Sequence, residues 1–153
     1  MRELHFILCV MMLFSGCKQI PMLPNGSYFG DELNLTIESP VQLRNKNSAD
    51  KTTDVLTVSV KSINDSRCPT GVNCMWAGKA DVVVSLEKKG GETVNLDLCL
   101  GQCSNTNFKE TDSTTLTLNG SKYKVTLLQV NPYPSSDNTE EPKVVVLKVE
   151  EEL

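Results

Sequence analysis

The sequence predicts an all-β domain: an antiparallel β-sandwich of seven or eight strands with Greek-key connections, or as the alternative a small closed β-barrel. Three observations carry this. Apolar residues recur at spacing two along most of the chain, which gives each run one buried and one wet face. Glycine-bearing turn signals separate the runs. No stretch shows the spacing of an amphipathic helix, so a layer of sheet has only another sheet to pack on. At 153 residues and 39% hydrophobic, the chain has the size and composition of one domain with a modest core.

The N-terminus stands apart from this pattern. Arg2 precedes an apolar run from Leu4 to Phe14 that meets Ser15-Gly16-Cys17. A charged start, a short apolar stretch and small residues at a cleavage point describe a signal peptide over residues 1–16. The run is too short for a spanning helix, which needs about 20 residues. Leu13-Phe14-Ser15-Gly16-Cys17 resembles the lipobox of bacterial lipoproteins, with Phe14 in place of the commoner leucine. That resemblance implies a Cys17 carrying acyl chains such as palmitate, because several chains anchor stably where one does not. Residues 17–30, with Pro21, Pro24 and Gly26, then read as a tether, and 31–153 as the β domain. The expected location is the bacterial cell envelope, lipid-anchored in the outer membrane; Lys18 alone does not specify the periplasmic or the surface face.

The strands follow in order. Leu33, Leu35 and Ile37 alternate with Asn34 and Thr36, and Val41 and Leu43 follow Pro40. Leu56, Val58 and Val60 form the next set, Ala80, Val82, Val84 and Leu86 another, and Val94, Leu96, Leu98 and Leu100 another. Lys88-Lys89-Gly90-Gly91-Glu92 and Leu118-Asn119-Gly120-Ser121 read as hairpin turns, since glycine and asparagine reach positive φ. The strand from Tyr123 to Val130 loses its alternation at Leu127-Leu128, which predicts a bulge, and Asn131-Pro132-Tyr133-Pro134 stops it. Val144 to Val149 is the last strand.

Cleavage removes one charge of each sign, Arg2 and Glu3, so the net charge of −4 is kept. A mildly acidic chain without a basic stripe is a poor partner for nucleic acid. The same cut removes His5, the only histidine, and with it the general base of Ser-His-Asp and Cys-His chemistry. Asp65, Asp81, Asp97 and Asp112 sit beside turns or on wet strand faces, with no sign that two converge as a glycosidase requires. No catalytic residue and no cofactor is expected.

Rare residue types concentrate in one stretch, Asp65 to Gly78, which holds Arg67, Cys68, Cys74, Met75 and the single tryptophan, Trp76. Four cysteines remain after cleavage, and in an oxidising compartment an even, close-spaced set is a disulfide framework. Nearness in sequence favours Cys68 with Cys74 and Cys99 with Cys103; a crosslink between the two loops is the alternative. Zinc on four thiolates, copper on Met75 and the thiols, and redox chemistry at Cys99 and Cys103 each conflict with the spacing, the compartment or the missing histidine, so no metal ligand is expected. For the loop two readings compete. In the plainer one Trp76 covers the core or a disulfide and Arg67 pairs with Asp65. In the other, Arg67, Met75 and Trp76 form a partner-binding surface.

Cys68-Pro69-x4-Cys74-x-Trp76-Ala77-Gly78, preceded by Asp65-Ser66-Arg67 and followed by Val130-x-Pro132-Tyr133-Pro134, resembles a group of small, uncharacterised bacterial lipoproteins of Bacteroidetes type. The resemblance spans most of the mature domain. It implies envelope location and a β-rich fold and carries no activity. Cys99 and Cys103 lie outside that pattern, which adds to the case for pairing within each loop. The functional expectation is a non-enzymatic binding or structural module of the envelope with a protein or glycan partner. An inhibitor-like module that offers the braced loop to a protease is the alternative, ahead of a carboxylate-based enzyme.

Overall fold

Alternating sequence becomes strand except at Ile37, which was expected to extend the Leu33-Leu35 run and lies instead in a turn past β2, exposed. The structure is a computed structural model and describes residues 27–37, 39–47, 55–138 and 141–152. The signal segment 1–16, Cys17 and most of the tether lie outside the described residues.

Ten strands form: β1 (Ser27–Tyr28), β2 (Glu32–Leu35), β3 (Val41–Arg44), β4 (Val55–Asp65), β5 (Lys79–Lys88), β6 (Thr93–Ser104), β7 (Asn107–Lys109), β8 (Asp112–Leu118), β9 (Ser121–Asn131) and β10 (Val144–Glu152). Eight have four or more residues, as the sequence predicts; β1 and β7 are short additions. β1 falls inside the expected tether, and its pairing with Leu43 and Arg44 brings Ser27 and Tyr28 into the folded domain.

One sheet has the order β1-β3-β4-β5-β6-β7 and the other β2-β10-β9-β8. Among the described residues no ladder joins the two, so the domain is a sandwich and not a closed barrel. All ladders are antiparallel except β1–β3. The connections correct the Greek-key expectation: β3 to β7 and β8 to β10 are meanders of successive neighbours, and β2 closes the second sheet beside β10. Turns as short as Asn119-Gly120, both at positive φ, can return the chain only to the adjacent position. Even the longer 66–78 connection returns to the adjacent strand.

The core fills from both inner faces, with Leu35, Leu43, Val58, Val84 and Leu86 meeting Tyr123, Val125, Leu127, Val145 and Leu147. Two bulges reset which side chains face it. On β9, Leu128 has no partner because Val146 pairs with Gln129 and Leu147 with Leu127, which is the expected slip. On β4, Lys61 is the extra residue, since Val60 pairs with Val84 and Ser62 with Val83. One inserted residue exchanges the two faces, so Ile63 and Asp65 follow Val60 inward.

The strands define two poles. At one, β4 begins, the 89–92 and 119–120 turns meet through Gly91 and Asn119, and Ser27 lies level with Leu43 and Leu56. At the other, β4, β6 and β9 end and β5, β8 and β10 begin. Between the level of Leu56 and the end of β4 lie about 27 Å, at roughly 3.3 Å per residue.

Candidate functional site

The far pole is organised around a buried ion pair. The bulge at Lys61 turns Asp65 inward, and Arg67 follows on the same side. Arg67 Nε and Nη2 donate to the two Asp65 oxygens, both at 2.7 Å, and Nη2 also donates to the Val130 carbonyl at 2.7 Å. Lys143 Nζ stands 3.2 Å from Asp65 and donates to the Pro132 carbonyl at 2.7 Å. The guanidinium carbon of Arg67 is 4.4 Å from the centre of the Tyr133 ring, a cation–π distance. The side chains of Arg67 and Asp65 are only 9% and 4% exposed. Burial raises the Asp65 carboxyl, but the Arg67 hydrogen bonds and charge, with Lys143, outweigh it and hold the group below the usual carboxylate range.

Beyond this pair the β4–β5 connection rises as a braced arm. Ser66 N donates to the Lys79 carbonyl and Cys68 N to the Ala77 carbonyl, each at 2.8 Å. The Cys68–Cys74 disulfide crosses the arm, and Thr70 N reaches the Pro134 carbonyl at 2.9 Å. Gly78, at φ +71, returns the chain to β5 with no space for a side chain, because a Cβ would run into the Ser66 carbonyl. The Gly78 carbonyl accepts from Gln102 N at 2.9 Å, which joins the arm to β6. There Cys99 and Cys103 are bridged with Cα atoms 5.9 Å apart, where four extended residues would span about 13 Å. The strand therefore folds on itself at Gly101, φ +89.

Both disulfides pair as the sequence predicts, so the four sulfurs are not free thiolates. Of the three candidate contact residues, the structure separates one from the other two. Arg67 is held by Asp65, Val130 and Tyr133, the pairing with Asp65 that the plainer reading expects. Met75 and Trp76 stand out in solvent, 87% and 68% exposed. The plainer expectation that Trp76 covers the core is thereby overturned. Met75 and Trp76 both stand beyond Ala80, the last buried residue of β5 at this end.

Sequence reasoning missed the neighbours of this arm. Val72, Phe108 and Tyr133 are also exposed, and a groove of about 410 Å³ opens between the arm and β9, lined by Arg67, Ala77, Phe108, Glu110, Leu128 and Tyr133 among others. Phe108 pairs across the ladder with Gln102, whose side chain accepts a hydrogen bond from Ala77 N at 3.3 Å. Only the Pro132-Tyr133-Pro134 segment was marked in the sequence, as a strand stop and part of a recurring pattern; its role as the partner of Arg67 is a long-range contact. Chemically the pole offers a rigid, largely apolar surface over an internally neutralised ion pair. Searches with protein-family models, against curated proteins and against solved structures give no match for the chain.

Proposed function

We propose that the protein is a lipid-anchored, non-catalytic binding module of the bacterial cell envelope that contacts its partner through the arm carrying Met75 and Trp76. The observation that supports it most is the exposure of these two side chains on a disulfide-braced arm whose only charge, Arg67, is turned inward. Trp is the residue type most enriched among binding hot spots, and bracing lowers the entropy lost on association. Ser27 lies near the opposite pole, so a tether to Cys17 attaches closer to that end than to the arm. The groove brings one exposed carboxylate, Glu110, to its lining, which favours binding over a two-carboxylate hydrolysis.

The test places a photo-crosslinking residue at Met75 in the full chain expressed in its native envelope, with Thr115 on the outer face of β8 as the control position. A discrete adduct from position 75 that is lost in Trp76→Ala, and none from position 115, is the expected result; no adduct from position 75 rejects the module. Loss of acyl labelling in Cys17→Ser tests the anchor separately.

The inhibitor reading draws on the exposure of Met75 and the Cys68–Cys74 brace. Met75 and Trp76 lie on a bend, however, whereas segments gripped along a sheet edge are extended. Inhibition of a serine protease with the Met75–Trp76 bond left intact would select it instead.

A further inference from the structure

We infer that the partner is a protein whose contact face sets apolar side chains among lysines or arginines; this rests on the binding-module reading and specifies its ligand. Seven large apolar side chains are exposed among the described residues; five of them, Val72, Met75, Trp76, Phe108 and Tyr133, lie on or around the arm, and Ile37 lies at the same pole beside Lys143. The five around the arm are held together by backbone and ladder contacts. Gln102 links Phe108 to Ala77, Thr70 is bonded to Pro134, and Tyr133 and Phe108 share the groove. A clustered apolar surface on a rigid support marks an interaction site, where scattered single residues would not.

The charges around it have one sign left over. Each cation of this pole faces a carboxylate: Lys79 with Asp81 at 3.0 Å, Lys109 with Asp112 at 2.6 Å, and Arg67 and Lys143 with Asp65. Glu110, Asp137 and Glu141 are exposed, and among the described residues none of them joins an ion pair. The centre is therefore uncharged and its rim acidic. A second copy of this face would bring like charges together, and an anionic lipid surface would meet the same repulsion. A basic rim around an apolar centre complements both zones, and an arginine of such a partner can lie over the Trp76 ring.

Trp76 is the only tryptophan, so its emission reports this pole directly. The full chain in zwitterionic lipid vesicles is titrated with four probes: an alternating Lys-Leu peptide, a Glu-Leu peptide, a Lys-Ser peptide and a neutral chito-oligosaccharide. The expected result is a saturable blue shift with Lys-Leu alone, weakened about tenfold from low to physiological salt. The triple variant Glu110→Lys, Asp137→Lys, Glu141→Lys, checked for unchanged far-ultraviolet dichroism, should transfer the preference to Glu-Leu. Equal responses to Lys-Leu and Glu-Leu, a shift with the oligosaccharide alone, or silence towards all four overturns the inference. A discrete adduct from position 75 accompanied by any of those outcomes rejects the basic face and keeps the binding module, whereas absence of the adduct rejects both.

Discussion

Arg67 lies over the ring of Tyr133, guanidinium carbon to centroid 4.4 Å, and so joins two stretches far apart in the chain, the 66–78 arm and the segment after β9. The contact works because Asp65 neutralises the guanidinium and the Val130 carbonyl accepts a second hydrogen bond from Nη2. Removing one member of a buried pair leaves the other desolvated and uncompensated. Arg67→Met is therefore expected to lower stability by about 3 kcal/mol, read as the shift in a urea unfolding curve. A loss within experimental scatter would show that Lys143 alone suffices.

The same pair sets an acid limit. The Asp65 carboxyl is held below its unfolded value, so the stability it contributes is complete above about pH 3.9 and is lost as pH falls through the folded value. Below about pH 4 the native protein should lose stability more steeply than Asp65→Asn. Asp31 and Glu150 are shifted in the same direction at exposed sites, so the difference between the two curves isolates Asp65. Parallel curves would contradict the assignment.

Gly78 and Gly90 share φ +71 but differ in surroundings: a Cβ at Gly78 meets the Ser66 carbonyl, and one at Gly90 meets nothing within 4 Å. Alanine at Gly90 should cost about 1 kcal/mol, the strain of the backbone conformation alone. Alanine at Gly78 should cost clearly more, because carbonyl and side chain must separate. Thermal unfolding of the two variants makes the comparison, and equal losses would mean the arm yields freely.

The Cys68–Cys74 bridge closes a small ring, so the double serine variant is expected to lose at most about 2 kcal/mol of stability. Its larger effect should be local. Proteolysis within 66–78 is expected to accelerate while the sheets stay protected, measured by peptide mapping against the native protein; unchanged cleavage would show that the backbone hydrogen bonds suffice.

Trp76→Ala should leave stability within about 0.5 kcal/mol, since an exposed side chain away from the core contributes little to folding. It should nevertheless remove the adduct from position 75. A large stability loss would mean that the indole packs in solution.

The strands and both bridges were legible because each rests on local signals: alternation, turn residues and cysteines close in sequence. The slip at Leu127-Leu128 was legible too, since two adjacent leucines break a period of two. The equivalent slip at Lys61 was not read, although the step from Val60 to Ile63 contains it. Missing it left Asp65 on a wet face, when it is the residue that draws Arg67 inward. Trp76 escaped for a different reason. A lone tryptophan is assigned to the core by its size, but exposure depends on whether a facing sheet extends as far as the arm, and that is a property of the assembled sandwich. The meander order likewise followed from pairings between strands, which alternation does not encode.

That meander order has a kinetic side. Almost every ladder joins strands that follow one another, so each can close at the small entropy of a hairpin. The β1–β3 ladder skips only β2, whereas the pairing of β2 with β10, Leu33 opposite Leu147, spans every strand from β3 to β9. By loop-closure entropy it is the most expensive pairing among the described strands, and it is expected to form once the meanders hold β2 and β10 near each other. A late strand is thus the template for an early one, and a nascent chain short of Val144 holds Leu33 and Leu35 without the strand that pairs with them.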